Sequence, residues 1–267
     1  MFRLMCALVF LFSVVACGGG PKPSTYADHA KYTYEQGVDA LNDANYIEAT
    51  EFFSSVKTKY PYSQYAALAE VRIGDTYFEQ DQYVEAIGAY RTFIRRRPNH
   101  GEVGYAMWRI GQAFFEQRPS DFFLLPPGYE RDRSTTKDAV RAYRAFLLKF
   151  PKHKFAAAAA KKLKTCRENL ADFELYVAGF YLRNDRVRSA LGRLEDVVLN
   201  FDDVPSRWRK ASRLLLDAYL TLGQPGQDGT IDLEDGQIKA KALVERISKK
   251  FPSSQLSRDA KKRLSRP

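Results

Sequence analysis

Cys17 is the residue of this sequence whose position most strongly suggests covalent chemistry. It follows an apolar run at 4–15, which comes after a single basic residue, Arg3. The run is shorter than the roughly 20 residues that a membrane-spanning helix needs, and it has the form of a secretory signal. The small residues Val14-Val15-Ala16 lead into the cysteine, and the stretch GGGPKPS follows it at 18–24. The chain is therefore predicted to be exported, with a cysteine at the boundary of its signal.

The residues around Cys17 resemble a lipobox, the site at which bacterial lipoproteins receive their lipid on cysteine and are cleaved just before it. We expect 1–16 to be a lipoprotein signal peptide, Cys17 to be the lipidated mature N-terminus and 17–28 to form a flexible tether. Residue 18 is Gly rather than Asp, so nothing resembles the inner-membrane retention signal of enteric lipoproteins. The alternative is an ordinary signal peptide whose boundary happens to carry a cysteine.

Other residues able to do nucleophilic or metal chemistry are sparse. Cys6 would leave with the signal and Cys17 would be acylated, so Cys166 has no partner for a disulfide or a metal cluster. We expect Cys166 to be a small apolar residue on a helix. The histidines lie apart from one another at 29, 100 and 153, and no G-x-S-x-G, phosphate-binding Gly loop or H-E-x-x-H occurs. We predict no catalysis, no metal and no cofactor apart from the covalent lipid on Cys17.

The net charge of +10 would suit nucleic acid, an anionic membrane surface or acidic proteins. Basic clusters occur at 95–97, 161–162 and 249–250. Two of them fall in the last turn of a predicted helix, where cations complement the helix dipole, and we favour that explanation. An exported protein rarely meets nucleic acid, so no nucleic-acid partner is expected.

Four segments of the chain end alike in a proline after basic or aromatic residues: KTKYP at 57–61, RRRP at 95–98, LLKFP at 147–151 and SKKFP at 248–252. In the second unit Gly74 stands 12 residues before Ala86, which stands 12 residues before Pro98. Small residues let two antiparallel helices approach closely, and proline ends the second helix. This ladder is typical of the tetratricopeptide repeat, whose period is about 34 residues. The aromatic residues of the ladder are predicted to pack in the core.

The later units follow the ladder more loosely. Pro205 is predicted to close the fourth unit three residues late, and 154–182 is predicted to be one long helix. We therefore predict an all-α fold, a tetratricopeptide α-solenoid of five helix pairs. Repeats 1–3 are expected at 29–153, with an insertion at 117–137, and repeats 4–5 at 154–267.

Three segments carry a more specific likeness. They are KYPYSQYAALA at 59–69, the insertion at 121–146 with its Phe-Phe pair and the element Asp132-Arg133-Ser134, and the long run at 167–198 that begins RENLADFELYVAGFY. The third is the most specific, because a bare tetratricopeptide repeat does not require it. With these segments the whole chain resembles the BamD-like family of outer-membrane β-barrel assembly lipoproteins.

The resemblance implies a non-enzymatic scaffold that is lipid-anchored on the periplasmic face of the outer membrane. Such proteins bind the barrel-forming assembly subunit through its periplasmic repeats and receive unfolded outer-membrane β-barrel proteins. Arg193 falls on the family's arginine that contacts the assembly subunit; otherwise it is a solvated helix residue. Tyr60, Tyr62 and Tyr65 lie at the first join between repeats, where an aromatic C-terminal peptide of a substrate would dock; packing in the core is the other reading.

Two other classes of protein remain open at this point. Another tetratricopeptide envelope lipoprotein, such as a secretin pilot or a cell-division scaffold, would share the repeats, but such families usually lack the insertion and the long helix. An envelope enzyme with a repeat domain would need a further catalytic domain. The loop at 223–236 and the basic tail depart from the family pattern, so C-terminal partner contacts are left open.

Overall fold

The computed structural model describes residues 25–118, 133–221 and 233–265. These residues form eleven helices: α1 (Tyr26–Asn42), α2 (Tyr46–Lys59), α3 (Gln64–Glu79), α4 (Tyr83–Arg96), α5 (Val103–Glu116), α6 (Ser134–Lys149), α7 (Ala156–Arg183), α8 (Val187–Asn200), α9 (Pro205–Thr221), α10 (Leu233–Lys250) and α11 (Gln255–Leu264). The first ten pack as five consecutive antiparallel pairs, so the predicted tetratricopeptide solenoid of five helix pairs is confirmed. Cys17 lies outside the described residues. Most of the insertion at 117–137 and most of the loop at 223–236 also lie outside them.

The first helix begins earlier than the predicted end of the tether at residue 28. Thr25 caps α1 with a capping box, in which its hydroxyl accepts from the Asp28 N–H and the Asp28 carboxylate accepts from the Thr25 N–H. This reciprocal pair satisfies two backbone donors that the first turn of a helix otherwise leaves open. The described part of the chain therefore starts eight positions after Cys17.

Pro205 does not close the fourth unit as predicted. It is the first residue of α9, whereas α8 ends earlier, at Asn200 with Phe201 as its C-cap. Proline is favoured at the first helical position because its missing N–H has no partner there in any case. The sequence predicts no role for the basic C-terminal tail at 258–267, but most of this tail lies in α11. Leu256 and Ala260 of that helix are buried in the core.

The glycines of the ladder face aromatic rings of the second helix in each pair. A Cβ atom placed on any of them would lie 2.6–2.7 Å from a ring carbon. The pairs are Gly37 with Phe53, Gly74 with Tyr90, and Gly111 with Tyr143. The ring occupies the volume that a side chain would need, so glycine is required by aromatic packing rather than by contact between the two backbones.

The residue two positions after each repeat-ending proline accepts a backbone hydrogen bond at the start of the helix that follows. Ser63 and Ser254 accept from backbone N–H groups of α3 and α11 through their hydroxyl oxygens. His100 and His153 occupy the same position and accept through Nδ1 from the N–H groups of Glu102 and Phe155, at 3.2 and 3.3 Å. Each imidazole also packs edge-on against an aromatic ring of the preceding helix, with centroids 5.4 Å apart. Two of the three histidines thus stabilise the joins between helices.

Cys166 is fully buried on α7, as the sequence predicts, and burial raises the pKa of its thiol to about 11. Within the described ranges no three His, Cys, Asp or Glu side chains stand close enough to hold a metal ion. None of the described helices combines the length and the apolar character needed to cross a membrane.

Candidate protein-binding surfaces

The three tyrosines predicted to bind substrate lie at the α2–α3 join in very different environments. Tyr62 is 94% exposed, whereas Tyr60 and Tyr65 are half-buried. Tyr60 packs edge-on against Tyr26 of α1, with ring centroids 5.2 Å apart, and Tyr65 packs against Tyr34 at 5.4 Å. Tyr62 is therefore the one of the three whose ring is free for a partner, while the other two hold α1 against the join.

A buried carboxylate that the sequence did not reveal lies on α3, in the second repeat. Asp75 on α3 is only 3% exposed. It accepts hydrogen bonds from the hydroxyls of Tyr90 and Tyr105, at 2.5 and 2.9 Å, and from the guanidinium of Arg72. Arg109 of α5 approaches the same carboxylate at 3.2 Å. Four donors thus compensate one buried negative charge.

The arginines extend this network to the neighbouring helices. Arg72 also donates to the Tyr34 hydroxyl of α1 at 3.2 Å, and Arg109 donates to Glu79 at 2.9 Å. The Arg109 guanidinium lies 3.7 Å from the centre of the Phe78 ring, a cation–π contact. The network therefore links α1, α3 and α5, the first helices of the first three repeats, through polar contacts that fix their mutual orientation.

Burial and the adjacent Asp75 carboxylate raise the pKa of Tyr90 and of Tyr105 well above the ordinary value for a phenol. Burial would lower the pKa of Arg72, but the carboxylate of Asp75 outweighs it and the pKa is raised. At neutral pH both phenols are therefore neutral donors, and the arginine is a cation. Such fixed protonation states favour a structural role for the network over proton transfer.

Arg193, the residue predicted to contact a partner subunit, forms an ion pair within the chain. Its Nη1 lies 3.0 Å from Glu174 Oε2, while Arg133 Nη1 lies 2.9 Å from Oε1 of the same carboxylate. Glu174 is buried on α7, but the Arg193 side chain is 44% exposed. A guanidinium has five N–H donors, so this contact leaves donors of Arg193 directed toward solvent.

Aromatic residues of α7 adjoin this pair of arginines. The Arg133 guanidinium lies 3.0 Å from the centre of the Phe173 ring. Tyr176 and Phe180 follow at helical spacing and are 37% and 49% exposed. We refer to Arg133, Phe173, Tyr176, Phe180 and Arg193 as the α7 surface. Tyrosine and arginine are enriched among the residues that dominate binding at protein interfaces.

Glu174 connects two segments that lie far apart in the sequence. It lies in the long run at 167–198, and it contacts Arg133 of the element Asp132-Arg133-Ser134. The basic residue that opens the same run, Arg167, is 6% exposed and binds the Asp203 carboxylate and, at 2.5 Å, the Asn200 carbonyl. Two residues of this run thus form buried or half-buried ion pairs between repeats.

The similarity of this chain to known proteins extends over most of its length. A model of the family described as "YfiO: Outer membrane lipoprotein" matches residues 26–233. The "Outer membrane protein assembly factor BamD" of Caulobacter vibrioides is 28% identical over 222 residues, which cover 82% of this chain and 70% of that protein. The protein of the same name from Vibrio cholerae is 23% identical over 83% of this chain and 92% of the relative. The protein of the same name from Neisseria meningitidis serogroup A is 25% identical over 72% of this chain and 72% of the relative.

The family match extends from the first residue of α1 to the first residue of α10 and includes every segment on which the resemblance rested. The resemblance drawn from the sequence is therefore confirmed at the level of the family. The chain belongs to the YfiO family of outer-membrane lipoproteins.

Proposed function

We propose that this protein is a non-enzymatic scaffold of the machinery that assembles β-barrel proteins in the outer membrane. The observation that carries the proposal is the family match over residues 26–233, together with relatives named as outer-membrane protein assembly factors. A helical-repeat fold suits such a role, because stacked repeats present extended surfaces to other proteins.

We assign the α7 surface to the barrel-forming assembly subunit, through that subunit's periplasmic repeats. Glu174 holds the Arg193 side chain in one direction, so the entropy cost of ordering it is met before a partner binds. The outward donors of Arg193 suit a carboxylate on the partner, and the half-exposed Phe180 of α7 adds apolar area to the α7 surface. This arrangement supports a stable contact with one partner rather than transient, non-specific adhesion.

We assign the first join to the C-terminal segment of unfolded β-barrel substrates. Tyr62 is the ring available to an aromatic peptide, while Tyr60 and Tyr65 keep the join in place through Tyr26 and Tyr34. On this account Tyr62→Ala weakens substrate binding without loss of stability, whereas Tyr65→Ala lowers both the affinity for substrate and the stability of the fold.

The lipid on Cys17 is proposed to hold the scaffold on the periplasmic face of the outer membrane. A mature lipoprotein carries several acyl chains, and more than one chain is needed for stable anchoring. Fractionation of cells that express Cys17→Ser tests this: we expect an uncleaved or unlipidated protein that no longer partitions with the outer membrane. Outer-membrane retention of that variant would contradict the anchor.

Affinity purification of the intact protein from outer membranes in mild detergent tests the function as a whole. The barrel-forming assembly subunit is the expected major partner. Enrichment of a secretin in its place would assign the protein to another class of tetratricopeptide lipoprotein.

A further inference from the structure

The joins between repeats place one end of every helix pair on the same edge of the solenoid. Because neighbouring helices are antiparallel, the C-termini of α2, α4 and α6 lie beside the N-termini of α1, α3, α5 and α7. Contacts link one join to the next: Tyr26 packs on Tyr60, and Gly104 at the start of α5 lies against His153. We refer to 57–66, 95–105 and 149–158 together as the basic edge.

The basic edge carries eight Lys and Arg residues and a single acidic residue, Glu102. The eight are Lys57, Lys59, Arg95, Arg96, Arg97, Lys149, Lys152 and Lys154. The opposite edge of the first two repeats, at 42–48 and 79–85, carries five Asp and Glu residues and no Lys or Arg. The first two repeats are therefore electrically polarised from one edge to the other.

Helix dipoles explain only part of this pattern. Cations in the last turn of α2, α4 and α6 are favourable for those helices. Lys152 and Lys154, however, precede the N-terminus of α7, the positive end, where a cation is unfavourable. The first turns of α3, α5 and α7 also lack the acidic residues that would stabilise them. At the N-termini of these helices, the dipoles and the nearby cations thus add to a positive potential instead of cancelling.

Most of these cations form no ion pair among the residues that the structure describes. Arg97 pairs with Glu70 at 3.2 Å. For the other seven, the part of the chain that the structure describes contains no carboxylate within 4.0 Å, the limit for an ion pair, and all seven residues are exposed. An exposed row of cations with no carboxylate partner in the described part of the chain suits an external anionic surface.

The chain enters the fold at this same edge. Thr25 caps α1, and Tyr26 touches the first join. Thr25 lies eight positions after Cys17, so the backbone between them spans at most about 28 Å when fully extended. A lipid on Cys17 would therefore keep the basic edge within about 30 Å of the membrane surface. This step rests on the anchor that forms part of the proposed function.

We infer that the basic edge binds the anionic phospholipid headgroups of the membrane surface in which Cys17 is anchored. Each Lys or Arg held near such a surface adds to the attraction, and the attraction decays within a Debye length. The edge then acts as a second point of attachment that orients the N-terminal repeats, with their acidic edge directed away from the membrane.

Vesicle binding by the unlipidated mature chain, 17–267 with Cys17→Ser, tests the inference. The vesicles contain phosphatidylcholine alone or with phosphatidylglycerol. The triple variant Lys59→Glu, Arg95→Glu and Lys152→Glu reverses one cation at each join. The control variant reverses Arg186, Arg188 and Lys241 to Glu, which are exposed cations outside the basic edge, so the net charge changes equally. Thermal melting checks that both variants fold.

We expect binding only to vesicles that contain phosphatidylglycerol, weakened by salt. The edge variant should bind about tenfold more weakly or worse, and the control should retain its affinity. Equal weakening of both variants would overturn the inference, because net charge would then suffice. Absence of phosphatidylglycerol-dependent binding, with loss of a co-purifying protein from the edge variant, would overturn it in favour of an acidic protein partner. Because the assay uses no lipid anchor, its failure is distinct from failure of Cys17 lipidation.

Discussion

Glu174 fixes the position of Arg193: the two side chains meet at 3.0 Å across the contact between α7 and α8, and Arg133 holds the second carboxylate oxygen. One buried acid thus orients two arginines, of which one stays half exposed. The residue that we propose to recognise the partner and the residue that positions it therefore lie on different helices.

Loss of Glu174 is expected to cost more stability than loss of Arg193. Glu174→Ala leaves two arginines facing each other without their shared carboxylate, and we expect the free energy of unfolding to fall by about 2–3 kcal/mol. Arg193→Ala removes a half-exposed pair and should cost less than about 1 kcal/mol. Urea denaturation of both variants measures the difference. Equal losses would show that Glu174 is not the organising residue.

Gly37 is expected to tolerate no side chain unless a smaller residue replaces Phe53. A Cβ there would meet Phe53 Cε1 at 2.7 Å, so Gly37→Ala should lower the free energy of unfolding by about 1–3 kcal/mol. In the double variant Gly37→Ala/Phe53→Leu the two losses should be less than additive, as measured by chemical denaturation. Gly88→Ala on α4 is the matched control, since open space surrounds it, and helix propensity predicts a gain of up to about 1 kcal/mol. Additive losses in the double variant would contradict the packing argument.

Ala44, at the turn between α1 and α2, adopts a backbone conformation that glycine favours. Its φ is 58°, in the left-handed region that costs an ordinary residue about 1 kcal/mol or more. We expect Ala44→Gly to raise the free energy of unfolding by roughly 0.5–1 kcal/mol. Ala145→Gly, in the middle of α6, should lower it by about 1 kcal/mol. Destabilisation by both changes in thermal melts would refute the claim of backbone strain.

Asp203 is expected to make the C-terminal repeats sensitive to acid. Burial would raise its pKa, but the hydrogen bonds from Arg167 outweigh burial and lower it. The carboxylate therefore contributes stability above its unfolded pKa, and that stability is lost as the pH falls below about 4. The difference in melting temperature between the wild type and Asp203→Asn should shrink between pH 7 and pH 3. A difference that does not change with pH would exclude this carboxylate as the cause.

The repeat architecture was predictable because its signals are local and periodic. The spacing from Gly74 to Ala86 and Pro98 determines where two helices meet and where the second ends. Pro205 was misassigned because proline ends one helix and begins another with equal ease, and only the packing of α9 decides between the two.

The polar contacts were harder to foresee, since they join residues far apart in the chain. Asp75 receives donors from three helices, and nothing in the order of residues pairs it with Tyr90 or Tyr105. The family resemblance singles out Arg193 as a candidate contact residue. Its partner Glu174 could not be predicted in the same way, because the two residues meet only through the packing of α8 against α7.

Photo-crosslinking from Gly192, next to Arg193, tests the assignment of the α7 surface most directly. Gly192 and Gly88 are both exposed and have open space where a side chain would stand, so a photoreactive residue at either position should leave the fold intact. In intact cells we expect an adduct with the barrel-forming assembly subunit from position 192 and none from position 88. No adduct from 192, or equal adducts from both positions, would contradict the account.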